Sequence, residues 1–151
     1  MRANEFPLYE LSHQEFENVC YDLLIADNTY FQLKRLGGLK NTGIIDFEGI
    51  REDLDGSIKN VAIEVKHWMH FDTNKYSQLL QSLALHNSSY SFFVLMTSAK
   101  LSESQKQKIQ RINETIPNIN IKILDYYSIF KLLTKYVKVG SQYFIVLKKT
   151  Y

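Results

Sequence analysis

The stretch from Val61 to His67 carries the residues of this chain that are best suited to chemistry. Apolar residues alternate in it with Ala62, Glu64 and Lys66, and strict alternation predicts a strand with one buried face. Glu64 and Lys66 therefore share the other face, where a carboxylate and an ammonium can serve a metal ion and a water molecule together. The same pattern also fits an ion pair on a solvated sheet, because charges often alternate along half-exposed strands.

A second carboxylate, Asp46, lies in an earlier segment, residues 41–49, that is also predicted to be a strand. Asp55-Gly56, between the two strands, is typical of a hairpin turn. A hairpin centred on Asp55 places Asp46 directly opposite Glu64, on the same face. Opposed side chains in an antiparallel pair have Cβ atoms roughly 4.5–5.5 Å apart. Two like charges at that distance are destabilising unless something neutralises them, and a divalent cation would do so.

Glu17 is a third candidate carboxylate. Ser12 and Glu15 form a capping box that predicts the start of a helix, and the apolar stripe of this helix includes Cys20 and Leu24. At about 100° per residue, Glu17 lies at the edge of that stripe, where its carboxylate can face the sheet. A solvated helix glutamate is the alternative interpretation. Cys20 falls within the stripe and is predicted to be a core residue rather than a catalytic one.

Taken in this order, the residues resemble the restriction-endonuclease-like superfamily, whose PD-(D/E)xK signature is an Asp, a spacer, and then Glu, any residue and Lys. The more similar branch is the Mrr type, whose members cleave DNA in prokaryotic restriction and phage defence. Its features occur here over roughly residues 10–135, in the expected order: Phe16-Glu17, Gly37-Gly38, Gly43-Ile44-Ile45-Asp46, Glu64-Val65-Lys66, and Phe92 to Thr97-Ser98. The chain departs from the pattern at Asn41, where many relatives carry an Asp, and at Ile45. Neither departure removes a metal ligand.

The resemblance implies a metal-dependent DNA endonuclease. Asp46 and Glu64 would hold one or two Mg²⁺ ions, since Mg²⁺ binds through a few carboxylates plus waters. Mn²⁺ would be able to replace Mg²⁺. The Val65 carbonyl would be a further ligand, and Glu17 would complete the shell. Lys66 would orient the attacking water or stabilise the transition state as a point charge.

Four side chains near these elements are predicted to contact the phosphate backbone of DNA: Lys34, Arg35, Lys40 and His67. Solvated surface charge is the alternative explanation for the first three. Net charge is only +2, so any surface that binds nucleic acid must be local. The roles of Gln78 and Gln81, on the helix after the lysine strand, stay open.

Two further functions stay open. A Holliday-junction-type resolvase would share this site, and a catalytically silent DNA-binding or assembly module would share the fold. The paired carboxylates argue against the silent module, because a protein that only binds a polyanion has no need of them. We expect a homodimer or higher oligomer, since cutting both strands of a duplex needs two sites. We also expect an additional targeting domain or subunit, on which short nuclease domains often depend.

The composition is that of an ordinary soluble globular chain, because 45% of its 151 residues are hydrophobic and 23% are charged. This length fits a single nuclease domain over residues 1–151, with a core from about 10 to 135. One cysteine allows no internal disulfide framework, and no signal peptide or membrane-spanning run is visible. We therefore expect a protein of the prokaryotic cytosol, without membrane association.

The order of predicted elements indicates an α/β fold of the restriction-endonuclease-like type, with a mixed central sheet flanked by helices. The order is helix, three antiparallel strands, helix, strand, helix, strand, helix, with a last strand at Tyr143 to Leu147. Strand, helix and strand in succession favour a right-handed parallel crossover. Asp125 is expected to cap the helix after the crossover, and Ser102 with Gln105 is expected to form a second capping box.

Overall fold

One mixed five-stranded sheet forms the centre of the protein, in a computed structural model that describes residues 6–36, 45–86 and 89–149. The strands follow chain order across the sheet: β1 (Phe31–Arg35), β2 (Phe47–Glu52), β3 (Ile58–Lys66), β4 (Phe92–Thr97) and β5 (Asn120–Leu124). The first three strands pair antiparallel and the last three pair parallel. The predicted mixed sheet is therefore confirmed. Gly37-Gly38, Lys40 and Gly43-Ile44 lie outside the described residues.

Five helices flank the sheet: α1 (His13–Asp27), α2 (Thr73–His86), α3 (Glu103–Asn113), α4 (Tyr126–Lys135) and α5 (Val137–Lys149). A short 3-10 turn, Leu8–Glu10, precedes them. Both predicted capping boxes are present, and Asp125 caps α4 through the Ser128 N–H. Within the described ranges, none of the helices combines the length and apolar character that crossing a bilayer requires.

The β2–β3 hairpin has the register that its turn predicts. Phe47 pairs with Ile63 and Glu52 pairs with Ile58, so Asp46 and Glu64 follow at the open end of the hairpin. Gly56 in the turn has φ of +85°, a left-handed conformation that glycine adopts without steric cost. The predicted register is therefore confirmed for residues 47–52 and 58–63, and Asp46 and Glu64 are the next residues at the open end of the hairpin.

Alternation along β3 divides the sheet between two apolar cores. Val61 and Ile63 face the core that α1, α4 and α5 cover. Ala62 faces the other core, which α2 and α3 cover together with Phe93 and Leu95 of β4. By the same alternation, Glu64 belongs to the α2 and α3 side of the sheet.

The prediction of a last strand at residues 143–147 is wrong, because this segment belongs to α5. Val139 and Phe144 lie in the first core, and Tyr143, four residues after Val139, packs against it at helical spacing. The Tyr143 hydroxyl donates to Asp22 of α1 at 2.6 Å, which ties α5 to the first helix. A short apolar run fits a strand or a buried helix equally well by periodicity, and packing against α1 decides for the helix.

Candidate active site at the open end of the hairpin

Asp46 lies directly before β2, and hydrogen bonds of its backbone groups fix its position. Its N–H donates to the Ile63 carbonyl at 2.9 Å, and its carbonyl accepts from the Leu36 N–H at 2.8 Å. Its carboxylate accepts a further hydrogen bond from the Val65 N–H, with 2.7 Å between nitrogen and Oδ2. The Asp46 side chain is therefore fixed beside the Glu64-Val65-Lys66 segment.

Glu64 is almost completely buried, with 1% of the residue exposed. Its Oε2 atom has no hydrogen-bond partner within the part of the chain that the structure describes. Burial, and after it the Asp46 carboxylate, raise the pKa of Glu64 from 4.5 to about 10, although Lys66 and the Val65 N–H act in the opposite direction. A buried carboxylate is costly unless a cation or a proton neutralises it. This position of the sheet therefore favours binding of positive charge.

Lys66 supplies part of that charge from the solvent side. Its Nζ lies 3.9 Å from Glu64 Oε2, and 33% of its side chain is exposed. A separation of 3.9 Å is long for a hydrogen bond, so the ammonium offsets the carboxylate without satisfying it. The exposed part of Lys66 is accessible to a phosphate group that approaches from solvent.

The donor set fits a divalent cation of the magnesium class. Mg²⁺ is usually held by one or two carboxylates, and waters or substrate phosphates complete its octahedron. Asp46 and Glu64 supply two carboxylates side by side, and the unpartnered Oε2 of Glu64 is an acceptor in need of a cation. Residues 6–36, 45–86 and 89–149 contain no group of three His, Cys, Asp or Glu side chains arranged to hold a metal.

Glu17 of α1 forms an ion pair with Arg35 at the end of β1, between Oε2 and Nη2. Glu17 also lies in the electrostatic neighbourhood of Asp46, because both carboxylates act on Cys20. Burial raises the pKa of the Cys20 thiol first, and the charges of Asp46 and Glu17 add to the effect. Cys20 is a buried core residue, as predicted. The metal-binding role of Glu17 stays a prediction, since its carboxylate already has a partner in Arg35.

The predicted phosphate contacts are distributed over several parts of the fold. Lys34 Nζ lies 3.0 Å from Glu48 Oε1, and 66% of the Lys34 side chain remains exposed. Arg35 is 35% exposed and paired with Glu17. Lys40 lies outside the described residues. The exposed part of Lys34 and Arg35 leaves both cations accessible to DNA, although each already compensates a carboxylate.

His67 directly follows the lysine strand and bonds within the protein through both ring nitrogens. Nε2 lies 2.7 Å from the Leu11 carbonyl, and Nδ1 lies 2.7 Å from the Ser98 hydroxyl. Burial lowers the pKa of His67, and the Leu11 hydrogen bond opposes this only in part. The neutral ring therefore donates through Nε2 to the carbonyl and accepts from Ser98 at Nδ1. Stacked on Phe16 at 4.8 Å, the ring joins the end of β3 to α1.

Sequence reasoning missed Ser98 as a neighbour of the site and Tyr90 as a partner of Glu48. Ser98 follows β4, and a parallel register brings the carboxyl ends of β3 and β4 together, so its position was available as a signal. Tyr90 donates to Glu48 at 2.6 Å, and this hydrogen bond is the largest cause that lowers the pKa of Glu48. Tyr90 and Glu48 are 42 positions apart in the chain, and no local sequence pattern links them.

In a comparison with protein-family models, the chain matches the family Mrr_cat, described as "Restriction endonuclease", over residues 8–133. This match covers most of the chain, and the protein belongs to that family. The mixed five-stranded sheet with flanking helices is accordingly a restriction-endonuclease-like fold. The protein is thus a nuclease domain of the restriction-endonuclease type, with DNA as its class of substrate. Searches among curated proteins and among solved structures found no match.

The raised pKa of Glu64 predicts how metal-free stability depends on pH. Between about 4.5 and about 10 the folded protein holds a proton that the unfolded chain has lost. The free energy of unfolding therefore falls as pH rises through this window, by up to about 1.4 kcal/mol per pH unit. Glu64→Gln removes the titrating group. In EDTA, its melting temperature should fall less than that of the wild type between about pH 5 and pH 9.

The matched control is Glu103→Gln on α3, where the side chain is 86% exposed. This variant should keep the pH profile of the wild type. Parallel melting profiles for Glu64→Gln and wild type would show that Glu64 ionises normally in the folded protein, and the electrostatic description of the site would be wrong.

Proposed function

We propose that the protein is a Mg²⁺-dependent DNA endonuclease that hydrolyses phosphodiester bonds in restriction or anti-phage defence. The observation that carries the proposal is the buried Glu64 carboxylate, whose Oε2 has no hydrogen-bond partner in the described chain, beside a second carboxylate and a lysine. Structural ion pairs do not require such an arrangement, since burial of a like-charged pair is costly without a counter-charge. A nuclease that takes up a metal ion with its DNA gains from it.

Asp46 and Glu64, together with the Val65 carbonyl, would hold Mg²⁺, for which Mn²⁺ can substitute. When bound, the ion lowers the pKa of the attacking water and neutralises charge that develops on the phosphate. The Val65 N–H keeps the Asp46 carboxylate in place. Lys66 acts as a positioned cation that contacts a phosphate oxygen or orients the water. Its partial exposure allows the DNA strand to reach it.

Glu17 and Arg35 act together in this proposal. A DNA phosphate can compete with Glu17 for the Arg35 guanidinium, because arginine forms strong bidentate contacts with phosphate. Glu17 would then be available as a third oxygen ligand near Asp46. The shared effect of the two carboxylates on the Cys20 pKa supports this neighbourhood.

Alanine substitution of Asp46, Glu64 or Lys66 should lower the rate of plasmid cleavage in Mg²⁺ by about a hundredfold or more, as expected for loss of a main transition-state contact. Glu17→Ala should also reduce cleavage, with little change in melting temperature. The control is Lys59→Ala, at the opposite end of β3 from Lys66, which should cleave like wild type. Melting curves in EDTA verify that each variant is folded.

If a folded Lys66→Ala protein nicks plasmid at the rate of the wild type, Lys66 has no catalytic role and the assignment of the site is wrong. If the wild type cleaves neither linear, supercoiled nor single-stranded DNA in Mg²⁺ or Mn²⁺, the silent DNA-binding module replaces the endonuclease. Cleavage of four-way junctions in strong preference to linear duplex would identify the resolvase instead.

We further propose that residues 1–151 form one nuclease domain that acts in the prokaryotic cytosol as a homodimer or higher oligomer, guided by an additional domain or subunit. One chain supplies one site, and cutting both strands of a duplex takes two. Sedimentation with DNA in EDTA should therefore show at least two protein chains per duplex. A monomer that linearises plasmid without a nicked intermediate would contradict this stoichiometry.

A further inference from the structure

A cleft opens beyond the carboxyl ends of the parallel strands, next to the catalytic segment. After β4 the chain enters α3, whose Ile109 packs in the core on the α2 side. After β5 it enters α4, whose Ile129 and Leu133 pack in the opposite core. The chain thus leaves neighbouring strands toward opposite faces of the sheet. Ligands of open α/β sheets bind at such a switch point, outside the carboxyl ends of the strands.

The cleft has a volume of about 550 Å³, within the range of roughly 300–1,000 Å³ that is usual for small-molecule sites. Aromatic side chains from three separate segments line it: Tyr9, Trp68 and Tyr126. Met69 on its lining is 71% exposed, and Tyr9 is 61% exposed. Large apolar side chains that are exposed together mark a binding surface more often than an ordinary part of the protein surface.

Lys100 places a positive charge in the cleft. Its Nζ lies 4.8 Å from the centre of the Tyr126 ring and 5.9 Å from that of Tyr127, within the range of cation–π attraction. None of the described residues that line the cleft is acidic. A ligand that carries an anionic group next to an aromatic ring could therefore pair with Lys100, and no carboxylate of the lining would repel it.

The cleft begins where the catalytic strand ends. Trp68 lies two residues after Lys66, and its N–H donates to the Lys66 carbonyl at 3.0 Å. Two residues of chain span at most about 7 Å. Ser98, also in the lining, bonds to Nδ1 of His67, and its hydroxyl oxygen lies 3.0 Å from the Trp68 carbonyl oxygen. A DNA strand bound at Lys66 would therefore lie close to this cleft.

We propose that the cleft binds one unpaired base of the DNA strand, stacked on Tyr9 and Trp68, with Lys100 at the adjoining phosphate. This inference rests on the proposed nuclease function and adds a substrate class, namely DNA that carries an extrahelical or single-stranded base beside the scissile bond. A paired base is stacked within its duplex and cannot enter. Aromatic rings combined with a cation are the usual means of binding unpaired bases.

Two polar side chains of the cleft lining already have partners within the protein. The Gln105 amide is already used at both ends, since it donates to the Phe71 carbonyl and accepts from the Ser102 N–H. The Ser98 hydroxyl is occupied by His67 and Trp68. Stacking, which every base offers through its flat face, does not depend on these two side chains.

The test compares two short fluorescein-labelled duplexes that differ only in one extrahelical adenine, with binding measured in EDTA so that no cleavage occurs. Wild type should bind the duplex with the extra base at least about fivefold more tightly, as expected for one stacked base. Tyr9→Ala and Lys100→Ala should each reduce that ratio toward one. The control is Phe31→Ala on β1, another half-exposed aromatic outside the cleft, which should keep the ratio of the wild type.

A second readout reports stacking directly. When 2-aminopurine replaces the extrahelical adenine, its fluorescence should fall on binding to wild type and remain higher with folded Tyr9→Ala protein. Equal affinity of the wild type for both duplexes, or no fluorescence change, would overturn the proposal. So would a change of oligomeric state in Tyr9→Ala with the DNA preference intact, because the cleft would then be a protein contact.

Plasmid cleavage in Mg²⁺ by the same preparation separates the two proposals. If the protein cleaves plasmid but shows no preference for the extra base, the nuclease proposal stands and the base-binding proposal is contradicted. If the protein shows the preference and the fluorescence change but does not cleave plasmid, the base-binding proposal stands and the nuclease proposal is contradicted.

Discussion

Two carboxylates that lie side by side at the open end of a hairpin are the constraint on which the rest of the site depends. Water could stabilise Glu64 only if it were exposed, and 1% of the residue is accessible. Asp46 adds a second negative charge within the same short stretch of sheet, and Lys66 at 3.9 Å offsets it only in part. A proton neutralises Glu64 when no metal is bound, and a divalent cation would neutralise the pair. The same carboxylates thus reduce metal-free stability and create affinity for a cation.

The surrounding fold keeps this unfavourable arrangement in place. Asp46 is bonded through its backbone to both neighbouring strands, and β3 is covered on both faces by apolar cores. His67 then holds the end of β3 against Leu11 and Ser98. Displacement of the end of β3 would break these contacts. The rigidity of the candidate site therefore comes from packing and hydrogen bonds outside the side chains of Asp46, Glu64 and Lys66.

Local patterns in the sequence predicted the parts of the site that neighbouring residues determine. The Asp55-Gly56 turn predicts the register of β2 and β3, because the centre of a hairpin determines which residues of its two strands are paired. The Ser12 and Glu15 capping box located the start of α1. The α5 segment was misread, because a short apolar run has no periodicity that separates strand from helix.

Long-range pairs could not be predicted in this way. Glu17 meets Arg35 after 18 residues, and His67 meets the Leu11 carbonyl after 56. The cleft is assembled from segments that follow β3, β4 and β5 and from the turn at Tyr9. Only the strand order brings those segments together, and no single sequence pattern reveals them.

The central claim is that a divalent cation replaces the proton on Glu64. Calorimetric titration of the metal-free protein with Mg²⁺, near neutral pH in two buffers of different ionisation enthalpy, measures the number of protons released. Since the pKa of Glu64 is raised to about 10, binding should release about one proton per site, and Glu64→Gln should abolish that release. Mg²⁺ binding by the wild type without proton release, or equal binding by Glu64→Gln, would contradict this account.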